Sequence, residues 1–198
     1  MTAILVLRHG PTPWNEAKRV QGRSDLPLSE SGRAEVLRWR VPGEFAGFGL
    51  ITSPLARAVE TAALMGAGEA PRDRRLTEMD WGEWEGETLD ALRHRLGDLM
   101  RAWEAEGLDF RAPGGESPRD VQRRLLPFLK ERAAMGRDEV AVAHKGVIRA
   151  LYALAAGWDM TGPPEHKLRE ASAHLFELGQ DGMPRIARLN IALRATET

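Results

Sequence analysis

The chain has 198 residues, enough for one domain with a substantial core, and its charges nearly cancel to a formal net charge of −1. That balance removes the electrostatic argument for unspecific nucleic-acid or membrane-surface binding, while leaving room for a local cationic pocket. There is no cysteine, which excludes disulfides, thiolate catalysis, cysteine–zinc sites and iron–sulfur clusters. No apolar run approaches a membrane span and no stretch has the make-up of a signal peptide, so a cytoplasmic protein without membrane partners is expected.

The first element is Ala3–Leu7, five apolar residues too few for a helix and rich in Ile, Val and Leu, which read as a buried strand. It runs into Arg8-His9-Gly10, and Pro11 and Pro13 forbid its continuation. Gln21 to Leu28 is a polar loop; Ser29 then caps a helix expected to reach about Arg40, closed by Pro42-Gly43. Leu50-Ile51-Thr52 is a short strand. Ser53 as cap and Pro54 at the first helical position predict a helix to about Gly66, with Arg57 in its first turn.

Pro71–Leu76 is expected to hold another strand, with the charges of Arg72 to Arg75 solvated. The acidic and aromatic stretch Leu76–Gly86 follows. Leu89, Leu92, Leu96, Leu99 and Trp103, at spacings of three and four, predict one helix over 88–106. Ser117-Pro118 with Asp120 starts a third helix that Pro127 should kink or end early. Glu139–Ala143 is a second buried strand, ending at His144, and Val147–Ala156 is an apolar helix stopped by Gly157. Ala173–Leu178 and Ile186–Leu193 close the chain as a strand pair. With no repeat or linker, the pattern predicts a single domain over 1–198, a three-layer α/β/α sandwich with a mostly parallel sheet. The irregular piece at about 81–115 reads as an insertion or lid.

Two strands ending in histidine bring His9 and His144 to one sheet edge, where an open α/β sheet holds its ligand. Arg8 stands beside the first, and Arg57 arrives on a helix start. Arginine forks and a helix N-terminus match phosphate oxygens. Singly, each residue has a plainer role: a lone histidine is usually a satisfied hydrogen-bonding group, and Arg57 alone would cover apolar surface with its stem. The joint pattern is what points to two imidazoles and two guanidiniums around one phosphate, with His9 as nucleophile.

These residues lead to a family. The chain resembles the histidine phosphatase superfamily, also called phosphoglycerate mutase-like, over nearly its full length. Six ordered segments carry the likeness. They are Leu7–Gly10 with Thr12 and Asn15; Gln21-Gly22 with Asp25 and Pro27–Ser29; Ser53–Ala58 with Thr61-Ala62; Glu78 with Gly82 and Trp84–Gly86; Pro113–Ser117; and Val142–His144 with Gly146–Arg149. The resemblance implies that His9 becomes phosphorylated, that Arg8, Arg57 and His144 hold the phosphoryl oxygens, and that Glu78 is the general acid. It makes Asn15 and Gln21 neutral donors to the phosphoryl group, with Gly22 beside them. On composition alone Asp80, Glu83 or Glu85 could equally be the acid; the position before Gly-x-Trp-Glu-Gly selects Glu78.

Two positions depart from the family pattern. Pro11 replaces a polar residue and removes a backbone donor. Lys145 replaces a small residue; its ammonium either points to solvent or meets a second anionic group of the substrate. A fixed cationic pocket suits phosphoryl transfer without a metal, no histidine pair has ligand spacing, and no cofactor is expected; His94, His166 and His174 are left as structural or surface residues. The expected function is metal-independent hydrolysis of a small phosphorylated metabolite. A phosphoglycerate mutase-type phosphomutase is the alternative, less favoured because such mutases are typically longer, and a non-catalytic phosphate-binding domain is a third reading. Substrate and oligomeric state are not encoded legibly.

Overall fold

Thr2–Arg8 forms β1, and its uninterrupted apolar run is explained by burial on both faces: Ile4 and Val6 pack into one layer, Leu5 and Leu7 into the other. The computed structural model describes residues 1–193, so 194–198 of the expected 1–198 unit lie outside the described residues. In chain order there follow α1 (Pro13–Glu16), α2 (Glu30–Val36), β2 (Gly49–Thr52), α3 (Ala56–Ala62), α4 (Leu89–Leu96) and α5 (Asp98–Glu104). Then come α6 (Pro118–Met135), β3 (Glu139–Ala143), α7 (Lys145–Ala156), β4 (Ser172–Leu178) and β5 (Pro184–Ala192).

The sheet order is β2-β3-β1-β4-β5. β1 and β2 both pair parallel with β3, whereas β4 is antiparallel to β1 and to β5. Four of the five strands therefore share one direction. Helices α6 and α7 cover the face of Ile4 and Val6; α2 and α3 cover the face of Leu5 and Leu7. This is the α/β/α sandwich with a mostly parallel sheet that the alternation of elements predicts. Among the described residues no helix is long and apolar enough to cross a membrane.

Several elements differ locally from expectation. Helix α2 stops at Val36 rather than near Arg40, because the chain turns to bury Trp39 and to bond the Arg40 N–H to the Leu193 carbonyl. The strand expected in Pro71–Leu76 shrinks to one bridge between Thr52 and Arg72. The Asp73 side chain accepts the Arg75 N–H at 2.8 Å and opens a single 3₁₀ turn over Arg74–Leu76. Arg75 is not free in solvent: it pairs with Asp73 and Glu131.

The helix expected over 88–106 breaks at Gly97, whose positive φ of 52° ends α4. Leu92 and Met100 point into a third apolar cluster with Val20, Trp84 and Ala112, while Leu89 and Leu99 remain largely exposed. Pro127 neither ends nor interrupts α6. It sits with Arg123 on the exposed face, so the carbonyl that loses its intrahelical donor is on the solvent side.

The loop after β1 is fixed by close packing under α2. The Pro11 carbonyl accepts the Ser29 N–H at 3.0 Å, and a methyl group on Gly32 would overlap that carbonyl oxygen. Helix propensity alone predicts that Gly32→Ala gains about 1 kcal/mol. The overlap is with backbone that cannot swing aside, so urea unfolding of Gly32→Ala should instead show a loss on the order of 2 kcal/mol.

Candidate active site

Strand parity distributes the side chains at the sheet edge. His9 follows Leu7 toward the α3 face, and Arg8 follows Val6 toward the α7 face. Continuing the alternation of β3, the extended His144 turns toward α3, while Lys145 opens α7 and is exposed. The ladder pairs Arg8 with Ala143 and continues through the His9 N–H, which donates to the Ala143 carbonyl at 3.1 Å. The two imidazoles consequently stand side by side, ring centroids 5.0 Å apart.

His9 is buried, and its protonation pattern is set by two bonds. Nδ1 lies 2.6 Å from the Gly10 carbonyl, which can only accept, so Nδ1 carries the proton. Nε2 accepts from Arg57 Nε at 3.2 Å. Burial first, then the Arg8 and Arg57 charges, hold the ring well below the usual imidazole pKa, against the raising effect of the Gly10 bond. His9 is thus a neutral imidazole whose lone pair is on Nε2. The remaining forks of Arg57 reach the carbonyls of Gly22 at 2.6 Å and Ser24 at 3.0 Å.

His144 is fully buried, with Nε2 2.7 Å from Ser53 Oγ and Nδ1 without a partner among the described residues. Burial and the neighbouring His9, Arg57 and Arg8 lower its pKa well below the ordinary value. Ser53 is not the helix cap expected from sequence: α3 begins two residues later, after Leu55, and Ser53 Oγ serves His144 while accepting the Leu55 N–H at 3.3 Å. The sequence does not single out this role, although Ser53 opens one of the segments that carry the family likeness and stands directly at the end of a buried strand.

Glu78 is the buried carboxyl of the acidic stretch. It accepts N–H bonds from Met79 at 2.8 Å and Gly146 at 3.0 Å, and a side chain at Gly146 would collide with it. Burial raises its pKa, opposed by those two bonds and by Arg57 and Arg8. The other acids have structural partners. Glu85 accepts the Arg23 and Ser24 N–H groups at 2.6 and 2.8 Å, Asp80 accepts from Gly82 at 2.9 Å, and Glu83 is exposed. Gly22 is obligatory where the loop crosses Glu85 and the Met79 carbonyl, because any Cβ would strike both.

Asn15 closes a capping box on α1, its Oδ1 accepting the Thr12 N–H at 3.2 Å, and its Nδ2 donates to Gln21 Oε1 at 3.4 Å. Gln21 Oε1 also accepts from Thr12 Oγ1 at 2.7 Å, which leaves the buried Gln21 Nε2 as a donor without a partner among the described residues. Arg8 Nη1 donates to Glu170 Oε2 at 2.7 Å, and its buried Nε has no partner among the described residues. Glu170, which sequence reasoning did not single out, is also 3.8 Å from the exposed Lys145 ammonium. No group of three or more His, Asp or Glu side chains able to hold a metal occurs among the described residues.

A neutral imidazole with its lone pair on Nε2, beside cationic donors on the edge of a mostly parallel sheet, is an arrangement suited to phosphoryl transfer. The chain belongs to the histidine phosphatase superfamily (branch 1), whose family model matches residues 4–192, and it is an enzyme of that type. It is 35% identical over 196 residues to a 2,3-bisphosphoglycerate-dependent phosphoglycerate mutase of Methylobacterium radiotolerans, covering 91% of this chain and 92% of that one. It is also 35% identical over 178 residues to a glucosyl-3-phosphoglycerate phosphatase of Mycobacterium tuberculosis, covering 80% and 79% of the two chains. Among solved structures, a mycobacterial glucosyl-3-phosphoglycerate phosphatase in complex with VO3 superposes with a TM-score of 0.82 at 29% identity, covering 97% of this chain and all of that one.

Three buried imidazoles, His9, His144 and His174, are held neutral in the folded state, with His174 lowered by burial to about 4. Because these folded pKa values lie below the unfolded value, the associated stability is fully present above pH 6.5 and is lost as pH falls toward the folded values. For His174 alone the loss is on the order of 3 kcal/mol between about pH 6.5 and 4. Urea titrations at a series of pH values should show this decline. His174→Asn, which keeps an acceptor for the Asn190 N–H, should flatten it.

Proposed function

We propose that the enzyme hydrolyses a small phosphorylated metabolite through a phosphohistidine on His9 Nε2, without a metal ion. The neutral, Nδ1-protonated state of His9 carries this reading, since it presents a lone pair on Nε2 near pH 7 inside a cationic pocket. Nε2 attacks phosphorus as the ester P–O bond breaks, and the leaving oxygen takes the proton of Glu78. That carboxyl is suited to hold a proton because burial raises its pKa. A water then gives its proton to the Glu78 carboxylate and attacks phosphorus, the P–N bond breaks, and phosphate and neutral His9 are restored.

Arg8, Arg57 and His144 stabilise charge on the three equatorial oxygens, largely by being in place beforehand. The unpartnered His144 Nδ1 and Arg8 Nε are donors available for this purpose. Arg57 must exchange its bond to His9 Nε2 for a phosphoryl oxygen before attack. Gln21 Nε2 and Asn15 supply neutral donors, and Gly22 lets their loop approach Glu85, the Met79 carbonyl and Arg57. The 81–115 segment forms a wall or lid of the pocket, in which Trp84 is a core residue rather than a stacking platform. The enzyme's setting is the cytoplasm, where small phosphorylated metabolites are made.

The 35% identity to a phosphoglycerate mutase favours a second reading, in which the phosphoryl group returns to another hydroxyl. Incubation with substrate and a quench that avoids acid should trap an acid-labile, alkali-stable phosphoenzyme, absent in His9→Ala, and turnover should persist with a chelator. Glu78→Gln should lower kcat roughly 10²–10⁴-fold. With 3-phosphoglycerate and catalytic 2,3-bisphosphoglycerate, 2-phosphoglycerate appearing faster than phosphate would replace hydrolysis by the mutase reading.

A further inference from the structure

We propose that Thr61 is a positioning residue that fixes the nucleophilic tautomer of His9: its hydroxyl clamps Gly10, whose carbonyl holds the proton on Nδ1. The inference rests on His9 Nε2 being the phosphoryl-accepting atom and names the group that keeps that atom bare. The need for a clamp comes from packing. Where the loop leaves β1 beneath α2, a Cβ at residue 10 would overlap Val36 Cγ2, so glycine is the residue that fits. Glycine also has the freest backbone, and nothing in the residue itself aims its carbonyl at the His9 ring.

Thr61 supplies the missing restraint. It lies on α3 one turn after Arg57 and is fully buried. Its Oγ1 accepts the Gly10 N–H at 3.0 Å and donates to the Arg57 carbonyl at 2.7 Å. The single hydroxyl proton is committed to that carbonyl, which turns a lone pair toward Gly10. One buried side chain thereby ties the His9-Gly10 turn to the helix that carries Arg57. Those two segments make both hydrogen bonds of the His9 ring, the Gly10 carbonyl at Nδ1 and Arg57 at Nε2.

The restraint matters most during turnover. In the free enzyme Arg57 and the Gly10 carbonyl both favour a bare Nε2. Once Arg57 turns to a phosphoryl oxygen, the Gly10 carbonyl alone keeps the proton on Nδ1. A neutral ring with its proton on Nε2 has no lone pair there with which to attack phosphorus. As the P–N bond forms the ring becomes positively charged, and the same carbonyl, already in place, accepts the Nδ1–H of that cation.

The full chain is compared as Thr61→Val, which keeps the branched shape and loses both bonds, and Thr61→Ser, which keeps the hydroxyl. Side-chain nitrogen-15 spectra at neutral pH, with the His9 signals assigned by their loss in His9→Ala, read the tautomer directly. Wild type and Thr61→Ser should show Nδ1 protonated and Nε2 bare, and Thr61→Val should show a second population protonated on Nε2. With p-nitrophenyl phosphate, kcat of Thr61→Val should fall about tenfold to a hundredfold with KM within about threefold, and Thr61→Ser should recover most of it. A folded Thr61→Val with the wild-type tautomer, or with kcat within about threefold of wild type, overturns the clamp, and so does an equal loss in Thr61→Ser. If Thr61→Val does not fold, hydrogen exchange in the wild type decides: a protected Gly10 amide supports the clamp, and one as labile as exposed loop amides overturns it. Turnover undiminished in His9→Ala is a separate result, and it would overturn the phosphohistidine reading.

Discussion

The register of β1 against β3, with Arg8 opposite Ala143, is the constraint on which the site depends. Parallel pairing carries both strands to the same edge, and matching parity then turns His9 and His144 toward α3 together. A slip of one residue in that pairing would send one imidazole to the opposite face. The apolar residues of both strands are buried on both sides, which makes such a slip costly: it would exchange the small alanines of β3 with its valines against helices shaped for each. Core packing and active-site geometry are in this sense one requirement.

The same alternation divides the edge into two compartments. On the α3 side, His9, His144, Arg57 and Ser53 are buried and polar, with hydrogen bonds that fix a tautomer and leave chosen donors open. On the α7 side, Arg8, Lys145 and Glu170 border a more open cationic cleft. Arg8 belongs to both, since it is next to His9 in the chain and opposite to it across the sheet.

Around this edge, loops are held by backbone contacts that admit no side chain. Gly22 passes against Glu85 and the Met79 carbonyl, Gly146 against Glu78, and Gly32 against the Pro11 carbonyl. Each brings distant segments together: the loop after α1, the acidic stretch, and the start of α7. Glu78 is singled out from its acidic neighbours by this packing, because it alone reaches the Gly146 N–H, whereas Glu85 and Asp80 spend their oxygens on nearby loop N–H groups.

The sequence by itself determined the strands ending in His9 and His144, the α/β layering and the capped start of α6. Apolar runs, proline and glycine stops and cap residues act over a few positions, so local composition carries them. Helix boundaries at Val36 and Gly97, the collapse of the 71–76 strand and the persistence of α6 through Pro127 were decided by tertiary structure. They depend on what each turn packs against, which no local pattern records. The partners of the site residues belong to the same class. Ser53 reads as a cap in sequence and becomes the support of His144. Arg149, the last residue of a segment that carries the family likeness, lies over the Trp158 ring. Glu170, invisible in sequence, meets Arg8 only because β4 begins at the edge where β1 ends. Long-range pairing of that kind is fixed by the whole sheet, and only the folded molecule shows it.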